Sequence, residues 1–524
     1  MPRILASIVF FSMQLAAQVC QTQALGWPDP QANARVGTSV ARDLATAVAG
    51  GPFVDTQSAL GGAVYVWRQT AGLWNLEQKI TTPNNLGPNT SFGRVVALSG
   101  DRLVSGGNFG SNLVWLHRRT GTQWSLAGSI PPSGYTYAIQ FGYAVAVDGE
   151  WIAVGAPQAT ATPTSTTRTG AVYLFRDVGG AVSEVDQLRP PTLVGQDDAG
   201  ISLAMRSSVL AMGSAVGTQN AATGAGATFV YRIVQGQAVL EATLQSPAVS
   251  PGRDSQGATF GRAVATDGQR VAVADISETV GPFQSGAVHL WLHQAGIWVY
   301  EGTVVGQPNT CGFGSKIAID GDELIVGQSC GYRISHFRRV GGSWVEQGIT
   351  VAQNGGSFAI SSLALLGGEL TLGSAINPGT PSTVGQVVAY QLGSGSMPYG
   401  TGLAGSGNQM PELFGSGCPR VGQPYSVDLS HGIGGGFALL AIGFQNGQTS
   451  LVGGTLWVSS IVGSTGMLLG GGLGQPGVGG FQYPFAVPSA AFVGLRLYFQ
   501  AGVLDPGAVQ GFALSNALEV VMGN

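Results

Sequence analysis

Phe141-Gly142-Tyr143-Ala144-Val145-Ala146-Val147-Asp148-Gly149-Glu150-Trp151-Ile152-Ala153-Val154-Gly155-Ala156-Pro157, resumed at Gly170-Ala171-Val172-Tyr173, is the stretch on which the fold turns. Two short apolar runs, Ala144 to Val147 and Trp151 to Val154, flank an acidic turn, and a third run starts at a Gly. Strands with one wet face alternate between polar and apolar residues, and these do not, so they require cover on both faces. The frame recurs. Phe92-Gly93, Phe260-Gly261 and Phe313-Gly314 open further copies, and Val36-Gly37, Ala199-Gly200 and Phe358-Ala359 open degenerate ones, seven copies in all. In six of them a small residue stands 13 positions after the opening Gly, at Gly50, Gly106, Gly155, Gly213, Ala274 and Gly327. Third segments begin at Gly62-Ala63, Gly170-Ala171, Gly226-Ala227, Gly286-Ala287 and Gly385-Gln386, and Trp74, Trp124, Trp298 and Trp344 close four copies.

Each copy reads as four short strands. Asp148-Gly149, Asp267-Gly268 and Asp320-Gly321 suit the central pair of a tight hairpin with two positive φ angles. That register sets Gly142 opposite Gly155 and Gly314 opposite Gly327, leaving rungs without side chains where neighbouring sheets crowd together. Self-similarity at such a period marks a repeat architecture. Seven four-stranded units needing cover on both faces fit radial closure into an all-β seven-bladed propeller, and an open solenoid uses shorter, more uniform repeats. The last copy shows three strands only, so Leu25 to Arg35 is expected to add the missing outer strand. The same register places Cys311 opposite Cys330, within disulfide reach.

The ensemble of Phe-Gly, Val154-Gly155-Ala156-Pro157 and Gly170-Ala171-Val172-Tyr173 resembles the FG-GAP repeat of integrin α-like propellers and of secreted bacterial repeat proteins, over Val36 to Leu392. The resemblance implies a β-propeller with calcium in the first hairpins of some members. Here those turns offer Asp148 with Glu150, or Asp320 with Asp322 and Glu323, too few oxygens to enclose a hard cation. No metal and no cofactor are expected.

The chain has 524 residues, 84 of them Gly, with 23 basic and 27 acidic side chains. Ordinary chains carry about 7% Gly and about 25% charge. At 44% apolar content the chain is not disordered, and its thin, balanced charge leaves no footprint for nucleic acid. Arg3, the apolar run Ile4 to Ala17 and the small residues Ala16, Ala17 and Ala24 have the layout of a secretory leader. Cleavage after Ala24 or Ala17 fits, the first being preferred. Residues 1–24 thus read as leader, 25–392 as propeller, 393–398 as a linker and 399–524 as a Gly-rich β-sandwich module. That module has six charged residues, Glu412, Arg420, Asp428, Arg496, Asp505 and Glu519. Its Tyr399-Gly400-Thr401-Gly402, Gly417-Cys418-Pro419 and Ser515-Asn516-Ala517-Leu518-Glu519-Val520 resemble a C-terminal module of secreted bacterial repeat proteins, with Leu403 where a Cys is common. Strands are expected at Tyr425 to Leu429, Phe437 to Ile442, Leu451 to Ile461 and Val493 to Phe499.

No catalytic motif is visible. His117, His289, His293, His336 and His431 lack metal-ligand spacing, no Gly-x-Ser-x-Gly or HExxH occurs, and Gly434-Gly435-Gly436 and Gly470-Gly471-Gly472 lack the Lys of a phosphate loop. The connections after the second strands and between units are long and polar, and function favours such loops on a rigid scaffold. Candidate ligand contacts there are Tyr135, Tyr137, Asp197, Asp198, Arg253 and Asp254. The favoured expectation is a secreted, monomeric, non-catalytic binding or adhesion protein meeting an extracellular protein or glycan. An enzyme acting on polysaccharide or lipid at the propeller axis, and a structural surface or matrix protein, are the alternatives.

Overall fold

A computed structural model describes the chain apart from residues 1–18, 57–59, 71–72, 82–89, 108–112, 135–138, 161–167, 192–197, 216–225, 248–258, 281–282, 307–311, 330–332, 352–359, 376–383, 393–394 and 524. It divides into two compact units, one holding Gln21–Glu346 and Val351–Tyr390, the other chiefly Gln391–Asn524.

The first unit contains seven four-stranded sheets. The first runs Ser39–Asp43, Thr46–Gly51, Ala63–Thr70 and Leu73–Thr81 in chain order, and five more repeat that order. The first strand of each sheet touches the first strand of the next, and Ser362–Leu366 of the seventh returns to Ser39–Asp43, so the ring is closed. Second strands such as Thr46–Gly51, Trp151–Ala156 and Val209–Ser214 are buried at every residue. The core lies between the sheets: Val48, Val64 and Ile80 of the first pack with Phe92, Leu103 and Trp115 of the second.

The Phe-Gly pair is the centre of a turn. Opening glycines have φ of 84° to 97° at Gly37, Gly93, Gly142, Gly200, Gly261 and Gly314. The residue before the pair accepts a backbone bond from the residue after it, as in Arg94 N–H to Ser91 O (3.1 Å), Tyr143 N–H to Gln140 O (3.1 Å) and Arg262 N–H to Thr259 O (2.9 Å). That is the i to i+3 bond of a type II turn, whose third position requires positive φ. The Phe ring then stands edge-on to an aromatic of the third strand: Phe141 to Tyr173 at 5.3 Å, Phe260 to Trp291 at 5.9 Å and Phe313 to Phe337 at 6.1 Å. Contacts of this shape add about 0.5–1.5 kcal/mol beyond burial.

The expected hairpin register is corrected by two residues. Asp148 faces Trp151 and Asp320 faces Glu323, so Gly149-Glu150 and Gly321-Asp322 are the central pairs. Among these, only the glycines have positive φ, the sign pattern of a type II′ turn rather than I′. Gly327 therefore faces Lys316, not Gly314, and a bulge follows before Phe313 meets Gln328. The small residues still serve the close approach between sheets: a Cβ on Gly50 would stand 1.7 Å from Gly93 O of the next sheet, and one on Gly155 2.1 Å from Gly200 O. Cys311 and Cys330 lie outside the described residues.

A second correction concerns the seventh sheet. Its outer strand is Val19–Ala24, beside Gln386–Leu392, and not Leu25 to Arg35. Leu25 N–H donates to Val387 O (2.8 Å), after which the chain leaves the ladder and Val36 makes a single parallel bridge to Gly385. Pro28 and Pro30 explain why: neither can donate to a ladder.

In the second unit a five-stranded sheet, Gly395–Tyr399, Phe512–Val521, Arg496–Leu504, Phe437–Leu451 and Gly454–Leu468, and a three-stranded one, Glu412–Gly417, Pro424–Gly432 and Gly479–Ala486, contribute to one apolar core. Part of the expected linker is thus strand, and the expected strand Leu451 to Ile461 instead contains the Val452-Gly453 turn between two long strands. The Gly runs bond to each other's loops, with Gly435 N–H on Gly470 O and Gly474 N–H on Gly434 O. Buried Asn516 bonds both the N–H (2.8 Å) and the C=O (2.9 Å) of Leu413, joining the two sheets.

Candidate functional site

The seven innermost strands surround an axial cavity of about 490 Å³. Val40, Val96, Leu203, Val264, Ile317 and Leu363 are among its lining residues, because each inner strand turns one face to the axis, and polar and apolar atoms share its surface about equally. Polar groups gather at the turn end. There, on five of the sheets, the residue six positions after the opening Gly reaches to the backbone of the next sheet's turn. Asp43 accepts from Gly100 N–H (2.5 Å), Ser99 from Gly149 (3.0 Å), Asp148 from Ser208 (2.8 Å), Asp267 from Gly321 (3.1 Å) and Asp320 from Gly367 (2.6 Å). Arg206 crosses to Asp320 (2.7 Å) and Arg42 pairs with Glu369 (2.6 Å). The turn acids are therefore inter-sheet clasps, and their recurrence at one frame position was the sequence signal for that role.

The opposite end carries the Phe-Gly turns. Following the Phe-Gly pairs, Arg94, Arg262 and Lys316 are exposed cations on the second, fifth and sixth sheets. Surrounding protein and the positive charge of Arg262 lower the Lys316 ammonium from the usual lysine range, although the residue is exposed. Asp198, of the six expected contact residues, is described: it is half-buried, has φ of 50° and opens the fourth sheet's turn. Burial raises its carboxyl from the ordinary value, against the pull of Arg262 and Arg168. Tyr135, Tyr137, Asp197, Arg253 and Asp254 lie outside the described residues. At the fifth sheet the long connection is pinned: Glu278 bonds His289 Nε2 (2.7 Å), whose Nδ1 meets Thr303 (2.8 Å), and Asp275 bonds Thr259 and Ser277.

Three third-strand histidines, His117, His289 and His336, are buried, and His293, on the same strand as His289, is half-buried. His289 and His336 are engaged by Glu278 and Glu323. His117 packs against Phe92 (5.7 Å), and burial lowers its imidazole to about 4. Among the described residues no group of three His, Cys, Asp or Glu could hold a metal ion. Sequence reasoning missed Asp177, buried on the third sheet and bonded by Arg118 and by Arg102 (2.7 Å) of the second. Burial works to raise its carboxyl, but the two guanidinium groups prevail and hold it below the usual range. Nothing local marks Asp177, because its partners stand on another copy.

Residues 124–175 match the family model of the FG-GAP repeat. That stretch, reaching from the second sheet's last strand into the third sheet, is an FG-GAP repeat. No curated protein matches the chain. Among solved structures, a chain of the Mitotic Checkpoint Complex is 12% identical, with a TM-score of 0.45, over 75% of this chain and 99% of that one. The WD40 domain of Toxoplasma gondii coronin is 9% identical with a TM-score of 0.42, over 72% and 88%. A putative 6-phosphogluconolactonase from Bacteroides fragilis is 11% identical with a TM-score of 0.39, over 59% and 82%. No helix among the described residues is long and apolar enough to cross a membrane.

Proposed function

We propose that this is a secreted, non-catalytic binding protein that presents the Phe-Gly end of its propeller to an extracellular protein or glycan. The observation that carries this reading is the division of labour between the two ends of the axis. At the turn end, Asp43, Asp148, Asp267 and Asp320 are engaged by backbone N–H groups, which leaves them ill-suited as bases or nucleophiles. At the other end, Arg94, Arg262 and Lys316 are exposed just after the Phe-Gly pairs. Cations on a rigid rim suit carboxylate or sulfate groups of a partner.

Arrays of immobilised extracellular proteins and of acidic and neutral glycans test it. The wild-type protein is compared with a triple variant, Arg94→Glu with Arg262→Glu and Lys316→Glu. Binding to an acidic member that the triple variant loses, with an unchanged thermal midpoint, is expected. Equal binding by both proteins, or turnover of an arrayed glycan, would overturn the proposal.

A further inference from the structure

The outer strand of the seventh sheet is built from the stretch that sequence alone assigns to the leader. Val19–Ala24 lies beside Gln386–Leu392. Its place is the one that Leu73–Thr81 holds in the first sheet, as two side-chain details show independently. Gln78 donates to Trp124 O (2.8 Å) and accepts from Trp124 N–H (2.7 Å), joining the outer strands of the first and second sheets. Gln23 makes the same pair with Trp74, donating at 2.7 Å and accepting at 2.8 Å, and so joins the seventh sheet to the first. Two residues further on, Ile80 is buried opposite Val64, the second residue after Gly62. Leu25, two residues after Gln23, is buried and bonded to Val387, the second residue after Gly385. The stretch from Val19 to Leu25 is thus a repeat element in register with the others.

Cutting after Ala24 removes that element. The ladder beside Gln386–Leu392 is left open, its backbone groups become an unpaired edge, and Gln23 no longer holds the Trp74 backbone. We infer that export processing leaves Val19–Ala24 on the mature chain, the peptidase cutting upstream of Val19, at Ala17-Gln18. The small residue at Ala17 supplies the position before the cut. This rests on the export part of the proposed function. It overrides the sequence preference for Ala24, whose Thr22-Gln23-Ala24 pattern has the small residues but lies inside a paired strand.

The full chain with its leader, produced in an exporting bacterial host, is recovered from outside the cytoplasm and its N-terminus read by sequencing and intact mass. A mature chain beginning at Gln18 is expected. An exported chain beginning at Leu25 overturns this inference and leaves the export reading standing, whereas an uncut chain held in the cytoplasm overturns both. Mature-length chains starting at Gln18 and at Leu25 are also compared by thermal unfolding, together with Gln23→Ala in the longer one. The shorter chain is expected to unfold at least about 5 °C lower, with Gln23→Ala between the two. Equal midpoints for all three would show that the strand does not close the ring and would overturn the inference.

Discussion

At Gly93 two constraints coincide: φ is 87°, and a Cβ would stand 2.6 Å from Ala63 O. Gly121 shares only the first, with φ of 64° and nothing within 4 Å. Gly121→Ala should therefore cost about 1 kcal/mol, and Gly93→Ala about 1–3 kcal/mol more, a difference readable by urea unfolding. His117 offers a second residue-scale test. Its imidazole is 2% exposed, its Nδ1 has no hydrogen-bond partner, and burial lowers it to about 4. The unfolded chain takes up this proton near pH 6.5, but the folded chain resists until about 4. Stability from neutral His117 is thus complete above 6.5 and falls by about 1.4 kcal/mol per pH unit between those values. His117→Leu should flatten that part of the stability profile relative to wild type. The glycines were legible in the sequence because each recurs in frame. The residue before the Phe-Gly pair, left-handed at Arg35, Ser91, Gln140, Asp198 and Gly312 but not at Thr259, was not, because its identity changes from copy to copy.

Between elements, the decisive interactions are those that cross from one sheet to the next. Asp177 on Ala171–Val178 receives Arg102 and Arg118 from two strands of the second sheet. Its carboxyl is held below the usual range, so the pair stabilises the fold above the unfolded carboxylate value of about 3.9 and that contribution fades as pH falls through the lower folded value. Asp177→Asn is expected to lower stability by about 1–3 kcal/mol at neutral pH, and denaturation curves of mutant and wild type should converge in strong acid. The four strands of a copy could be read from apolar runs and turns, since each run is local. The hairpin register departs by two residues from the expected one because Asp148 and Asp320 are not turn residues. They are the last paired residues of their strands, freed to reach the neighbouring turn. Clasps between copies have no local signature, and only comparison of one frame position across all copies exposes them.

For the molecule as a whole, closure is the event that makes seven sheets one propeller. A chain ended after Ser361 keeps six complete sheets, yet the first and sixth each retain an apolar face that the seventh would cover. Such a chain is expected to lose the sharp thermal transition of the full protein and to aggregate on warming, as calorimetry and light scattering would show. The all-β repeat was legible because periodicity survives degenerate copies such as Val36-Gly37. The closing strand was not legible, because Val19–Ala24 closely follows the apolar run Ile4 to Ala17, whose composition hides a pairing strand.

The closing strand also sets an order in time. Val19–Ala24 leaves the ribosome before every other strand of the ring, and its neighbour in the sheet, Gln386–Leu392, follows some 360 residues later. At about 5–20 residues per second, that is roughly 20 to 70 seconds during which the oldest strand of the ring waits for the youngest. Trp74, tied to Gln23 in the finished ring, spends that interval beside a strand with nothing yet to pair with. Nascent chains of this protein thus carry an open β edge through nearly the whole of propeller synthesis, and the window for mispairing between neighbouring ribosomes is set by the speed of translation.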